Sequence, residues 1–204
     1  RVPDYNPPMP QHGYLHGYSS QEQKRLLAQA LALEEAVFAE VDFTGRKDLL
    51  ELGCGAGENL TALRQLFPAA HLEGVEINEK AAAIAREHGH LVRETSVLDY
   101  RPERKYDLVL SKGFCIHVTP TELHRVYDLM MMASSRWVLI AEYYSPVPVE
   151  IKYQGVASML WKRDFAGELL TAYQELRLVD YGFIYHRDPY PQDDLTYFLL
   201  EKQQ

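Results

Sequence analysis

Three glycines on alternate positions, Gly53, Gly55 and Gly57, lie within the stretch LLELGCGAGENL, residues 49–60. A carboxylate, Glu51, precedes them and the polar pair Glu58-Asn59 follows. Without a Cβ, such a loop lets backbone approach a ligand closely, and it leads into the free N–H groups of a helix N-terminus. A second carboxylate, Glu76, closes the next apolar run within GVEIN, residues 74–78. At the end of that strand an acidic residue suits the ribose hydroxyls of a nucleotide-like ligand.

The dinucleotide fingerprint G-x-G-x-x-G needs a glycine where Glu58 stands. The spacing here is G-x-G-x-G, with Glu51 in front. A carboxylate at that point repels a pyrophosphate and can hold an ammonium group. S-adenosylmethionine (SAM) carries an ammonium and a sulfonium and no phosphate, so the loop chemistry favours SAM over NAD. The plain alternatives are a tight strand-to-helix turn for the glycines and a solvated strand-end charge for Glu76.

These residues need a sheet to place them. The opening RVPDYNPPMPQ is proline-rich and reads as an extended arm. A long amphipathic helix follows, capped by Ser20 with Gln23 reaching back, and with Leu26, Ala30, Leu33 and Val37 on one face. From Lys47 strands and helices alternate. KDLLEL, HLEGVEI, HLVRETS, YDLVLS and RWVLIAEYY read as strands. ENLTALRQLF is a helix stopped by Pro68, and NEKAAAIAREH one capped by Asn78 with Gly89 past its end. TPTELHRVYDLMMMA is a helix with Thr119 as N-cap, Pro120 first and Glu122 closing the box. SPVPVEIKYQGVASMLWKRD reads as an irregular insertion, and FAGELLTAYQE as a helix. LRLVDYGFIYHR and DLTYFLLEK form an antiparallel hairpin across DPYPQD. This rhythm predicts an α/β parallel sheet covered on both faces. It has no long linker, so residues 1–204 are expected to form a single domain, with 1–45 as arm and helix and 46–204 as core.

Composition narrows the partners. The chain has 204 residues, 47% hydrophobic and 25% charged, which fits a soluble globular protein. With 21 Lys+Arg against 29 Asp+Glu it lacks the basic balance of a nucleic-acid binder. Two cysteines, Cys54 and Cys115, are too few for a disulfide framework, so a reducing cytoplasm is the default. No apolar run approaches the roughly 20 residues of a membrane span, and the N-terminus lacks the layout of a signal peptide. His12, His16, His88 and His90 suggest no metal set.

LLELGCGAGENL, GVEIN, YDLVLSKG and WVLIAEYY together resemble a class I SAM-dependent methyltransferase over about residues 47 to 202. That resemblance implies a Rossmann-like seven-stranded sheet of order 3-2-1-4-5-7-6 with strand 7 antiparallel. Further on, SKGFCIHVTP, LIAEYYSPVPVEIKYQG, LWKRDFAGELL and LVDYGFIYHRDPYPQDDLTYFLLEK are similar to the methyltransferases associated with pseudaminic acid biosynthesis. The N-terminal HGYSSQEQKRLLAQALALE instead resembles class I methyltransferases of other small metabolites.

In the matching positions, Glu51 and the backbone of Gly53, Cys54, Gly55 and Gly57 are expected at the methionine end of SAM. Glu76 is expected on the ribose, Ile77 on the adenine ring, and Ser96 with the Val97 backbone at the adenine edge. Lys112 and Gly113 fall at the cofactor–substrate border. The Cys54 side chain is expected to be packing, since methyl transfer needs no thiolate. In the arm, Tyr18 is expected to cover the cofactor and Tyr14 the acceptor; edge packing is the alternative. His117, after the fourth strand, either takes a proton from the acceptor as general base or orients the loop by a hydrogen bond. Glu142, Tyr143 and Tyr144 leave the fifth strand on the acceptor side. Lys152, Arg163, His186 and Arg187 either converge into a cationic pocket or are scattered surface charge.

The expected activity is methyl transfer from SAM, with S-adenosylhomocysteine as product, to oxygen or nitrogen of a small polar acceptor. A nonulosonic-acid-type sugar comes first by resemblance, and a natural-product metabolite second. A non-catalytic SAM-binding protein is the rival from another class. The expected molecule is a monomer or homodimer without nucleic-acid, membrane or metal partners.

Overall fold

The computed structural model describes residues 47–153, 156–187 and 194–203. The arm and first helix, with Tyr14, Tyr18 and the Ser20 cap, lie outside the described residues.

The first strand, β1 (Asp48–Leu52), is buried along nearly its whole length, as a central parallel strand must be. It pairs in parallel with β2 (His71–Glu76) on one side and β4 (Tyr106–Lys112) on the other. Beyond β2 lies β3 (Leu91–Glu94), and beyond β4 lies β5 (Ser134–Glu142), both parallel. A hairpin-like pair, β6 (Val149–Tyr153) and β7 (Val156–Lys162), stands apart as a two-stranded sheet. The last strands, β8 (Leu176–Ile184) and β9 (Leu195–Lys202), rejoin the main sheet, where β9 runs antiparallel to β5 and β8. The order is β3-β2-β1-β4-β5-β9-β8. Counting only the strands of this sheet, that is the expected 3-2-1-4-5-7-6.

Alternation divides the core between the two faces. Leu49, Leu108, Leu110, Leu139 and Leu199 point to one side. There they meet Leu60 and Leu63 of α1 (Glu58–Leu66) and Ala82 and Ala85 of α2 (Glu79–Glu87). Leu50, Val109, Val138, Ile140 and Leu200 point to the other. They meet Met130 of α3 (Leu123–Ala133) and Leu169 of α4 (Phe165–Ala172). Each such leucine contributes roughly 1.5–3 kcal/mol by leaving water.

Two expectations are corrected. Residues 149–162 are not irregular: Val149, Ile151 and Tyr153 alternate with Glu150 and Lys152, and the two strands pair in antiparallel register. The third long helix starts at Leu123 rather than beside Thr119. The N–H groups of Glu122 and Leu123 both donate to the Thr119 carbonyl, and the Thr119 hydroxyl bonds Thr121 at 3.1 Å, so no capping box forms. Asn78 does cap α2, accepting from the Ala81 N–H at 3.1 Å.

Candidate active site

The parallel strands bring Glu51, Glu76, Lys112 and Glu142 to one edge of the sheet, the carboxyl ends of β1, β2, β4 and β5. Between β1 and α1 the chain makes three left-handed residues, with φ of 68° at Gly53, 56° at Gly55 and 86° at Gly57. Only glycine adopts that region at little cost. Gly53 is constrained further, because a Cβ there would stand 2.3 Å from the Phe114 ring. The loop is pinned from behind: the N–H groups of Gly53 and Cys54 both donate to the Val75 carbonyl.

Glu51 is 1% exposed. Asn59, on the first turn of α1, donates its amide to Glu51 Oε1 at 2.5 Å. Lys112 Nζ in turn donates to Asn59 Oδ1 at 2.9 Å. The other carboxylate oxygen, Oε2, is buried and has no hydrogen-bond partner among the described residues. Burial pushes the Glu51 carboxyl up to about 8, against the opposing pull of Asn59 and Lys112. A buried carboxylate with a spare oxygen is a site for a cation with N–H groups to donate. The ammonium of SAM meets that description, so these residues fit the cofactor.

Glu76 accepts the Gly55 N–H at 2.9 Å on Oε2 and the Asn78 N–H at 2.7 Å on Oε1. It therefore organises the glycine loop. Ile77 next to it is 70% exposed, an apolar surface at the expected adenine position. The Ser96 hydroxyl accepts the Leu98 N–H at 3.2 Å, and the Ser96 carbonyl accepts from Asp99 and Tyr100, which shapes a turn after β3. The Val97 side chain is in the core, leaving its backbone as the part that can face a ligand.

The side chains of several candidate residues are engaged within the chain, for Cys54 in the packing role expected. The Cys54 side chain points into the core, its sulfur in the space left by the missing Cβ of Gly74, and burial pushes its thiol well up. Glu142 is 2% exposed and is not turned toward an acceptor. Its Oε1 accepts from the Ser111 hydroxyl at 2.6 Å and the N–H groups of Phe114 at 3.0 Å and Cys115 at 2.9 Å. Arg163 does not join a cationic pocket, because it pairs with Glu168 at 2.7 Å. His186 pairs with Asp194 at 2.8 Å across the β8–β9 connection. Lys152 and Arg187 are exposed.

Tyr143 is half-buried under Lys162, whose Nζ lies 5.2 Å from its ring centre. Tyr144 is partly exposed and packs on the Phe198 ring at 5.8 Å. His117 ends a short 3₁₀ turn, Cys115–His117, and is exposed on the edge that carries the glycine loop. No group of three or more His, Cys, Asp or Glu suited to a metal occurs among the described residues. None of the described helices is long and apolar enough to cross a membrane.

Sequence reasoning missed Asn59 as the holder of Glu51 and Phe114 as the back of the glycine loop. Asn59 was visible in the polar pair after the glycines; Phe114 carried no local signal.

The sheet order, the glycine loop and the acidic strand ends are those of a Rossmann-like seven-stranded α/β fold. Residues 49–133 match the family model described as a methyltransferase domain. The chain is 38% identical over 72 residues to a tRNA1(Val) (adenine(37)-N6)-methyltransferase of Pedobacter heparinus, covering 31% of each chain. It is 30% identical over 95 residues to a malonyl-[acyl-carrier protein] O-methyltransferase of Bacillus cereus, covering 45% of this chain and 34% of the relative. The chain thus spans about a third of the length of the curated relatives it matches. Among solved structures, the SAM-bound magnesium protoporphyrin IX methyltransferase of Synechocystis PCC 6803 is similar with a TM-score of 0.66 and 15% identity, over 94% of this chain and 87% of that one. Likeness at that identity speaks for the fold.

Proposed function

We propose that this chain is a SAM-dependent methyltransferase acting on oxygen or nitrogen of a small polar acceptor. The observation that carries the reading is Glu51: a fully buried carboxylate, held by Asn59, with one oxygen left over beside the glycine loop. When bound, the cofactor supplies a methyl group already activated on a sulfonium. The protein's task is then to orient, desolvate and move a proton. Glu51 holds the ammonium end, Glu76 the ribose and Ile77 the adenine face. Ser96 and Val97 lie at the adenine edge, and Lys112 borders the acceptor side. Outside the described residues, Tyr18 and Tyr14 are assigned to cover cofactor and acceptor. His117 would take the proton that the acceptor oxygen or nitrogen loses as the methyl group passes to it from the sulfonium sulfur, which leaves as the neutral thioether of S-adenosylhomocysteine.

The resemblance of residues 111–120, 139–155, 160–170 and 178–202 to the pseudaminic acid-associated enzymes supports a nonulosonic-acid-type sugar as acceptor. The pairing of Arg163 with Glu168 and the 2.8 Å contact of His186 with Asp194 support the second reading, a small natural-product metabolite, because both side chains already have a partner within the chain. The test is methyl transfer from labelled SAM to a panel of nonulosonic acids and neutral hydroxylated or amine metabolites. Label in an acceptor, lost in His117→Ala, supports the assignment. SAM binding without transfer to any acceptor would leave a binding protein in its place.

A further inference from the structure

The β4–α3 connection folds around a carboxylate rather than around its own side chains. Glu142 ends β5, where the register pairs Ser111 with Ile140 and Lys112 with Ala141. From there its carboxylate reaches beneath the connection and collects four donors. Oε1 takes the Ser111 hydroxyl and the Phe114 and Cys115 N–H groups, and Oε2 takes the Ile116 N–H at 3.4 Å. Successive backbone N–H groups turned to one side make a concavity that favours negative charge. Here the protein fills it from within.

Two functional surfaces depend on this turn. Phe114 lies against Gly53, so its position sets the back of the cofactor loop. His117 follows directly, its N–H donating to the Phe114 carbonyl at 2.9 Å. The β7 strand packs on the same turn.

We infer that Glu142 is a positioning residue: its carboxylate fixes the backbone of residues 114–116 and thereby sets both Phe114 behind the glycine loop and His117 at the acceptor side. The part concerning His117 rests on the methyltransferase reading; the part concerning residues 114–116 does not.

The test compares the wild-type chain with Glu142→Ala, Glu142→Gln and Glu142→Asp. Amide hydrogen exchange is read residue by residue, and S-adenosylhomocysteine binding is read by calorimetry. Loss of the carboxylate in the alanine variant should speed exchange at Phe114, Cys115 and Ile116 by about tenfold or more, with β4 and β5 unchanged. Affinity for S-adenosylhomocysteine should fall several-fold, and the His117 ring resonances should shift. Glutamine keeps the reach and an acceptor oxygen, so it should stay near wild type on all three readouts. Aspartate keeps the charge and is one methylene too short, so it should resemble alanine. If alanine does not fold, the order of glutamine and aspartate decides. Unchanged exchange at 114–116 in a folded alanine variant overturns the inference. So does equal acceleration through β4 and β5, or aspartate behaving better than glutamine. Failure of the wild type to bind S-adenosylhomocysteine would instead count against the cofactor reading and leave the exchange result to judge Glu142.

Discussion

Cofactor binding should release a proton from Glu51. In the cofactor-free protein, burial holds this carboxyl at about 8, reinforced by the charges of Glu58 and Glu76 and opposed by Asn59 and Lys112. At pH 7 only about a tenth of the molecules then carry the carboxylate that an ammonium requires, which lowers affinity about tenfold, or about 1.4 kcal/mol. Docking of the ammonium on Oε2 stabilises the charged form and expels the proton, about 0.9 per cofactor at pH 7 by the same arithmetic. Affinity should therefore rise nearly tenfold per pH unit between 6 and 7.5, then level off and fall as the cofactor's own amino group deprotonates.

Stability carries the matching sign. The folded value lies above the ordinary 4.5, so the cofactor-free fold loses stability as pH rises from there to about 8. The full loss is on the order of 5 kcal/mol. Bound cofactor should therefore raise the melting temperature more at pH 8 than at pH 6. Calorimetry in two buffers of different ionisation enthalpy counts the protons, and Glu51→Gln should bind weakly with the rising limb gone. Binding that is flat from pH 6 to 7.5 with no proton release would refute the reasoning, because the carboxylate would then be charged before the ligand arrives.

Three further outcomes follow from the packing. Gly74→Ala places a Cβ 2.4 Å from the Cys54 sulfur and should cost about 1–3 kcal/mol in urea unfolding, partly relieved by Cys54→Ala; an unchanged midpoint would contradict the contact. Tyr106→Phe removes the 2.9 Å hydrogen bond to buried Glu73 and should cost about 1–3 kcal/mol, more than Tyr100→Phe, whose bond is 3.3 Å; the reverse order would show that the network is apportioned otherwise. Gly55→Val forces a branched residue to φ 56°, on the order of 1–2 kcal/mol of strain, beside the N–H held by Glu76, and calorimetry should find SAM binding weakened.

What could be read from the chain was local. Buried runs such as YDLVLS carry their own strand signal, and their alternation with helices is enough for the parallel sheet. Glu51 and the glycines are neighbours in sequence, and Glu76 lies at the end of the next strand, so their meeting follows once the strands pair. The β6–β7 pair also had its signal, the alternation from Val149 to Tyr153, but Pro146 and Pro148 in front of it read as loop. Glu142 is a different case. Its residue type and its strand-end position fit a ligand contact as well as a structural role. The choice between them lies in where donors 26 to 31 residues away fall in three dimensions. Arg163 and His186 stayed open between a cationic pocket and surface charge for the same reason, because the partner of each is supplied by folding.

Such buried polar attachments explain how a shared fold can hold a chain-specific site. The strand ends put carboxylates along one edge, but their environments send them to different tasks. Glu51 keeps an oxygen in reserve because Asn59 satisfies only the other. Glu76 divides its two oxygens between the glycine loop and the start of α2. Glu142 commits both to the connection after β4. A carboxylate oxygen that already accepts from its own chain can take a further donor, but its charge is stabilised before any ligand arrives. A buried oxygen with no donor depends on the one a ligand brings. That difference makes Glu51 the residue whose protonation should follow the cofactor, and it makes Glu142 the residue whose removal should loosen the turn whether or not a cofactor is present.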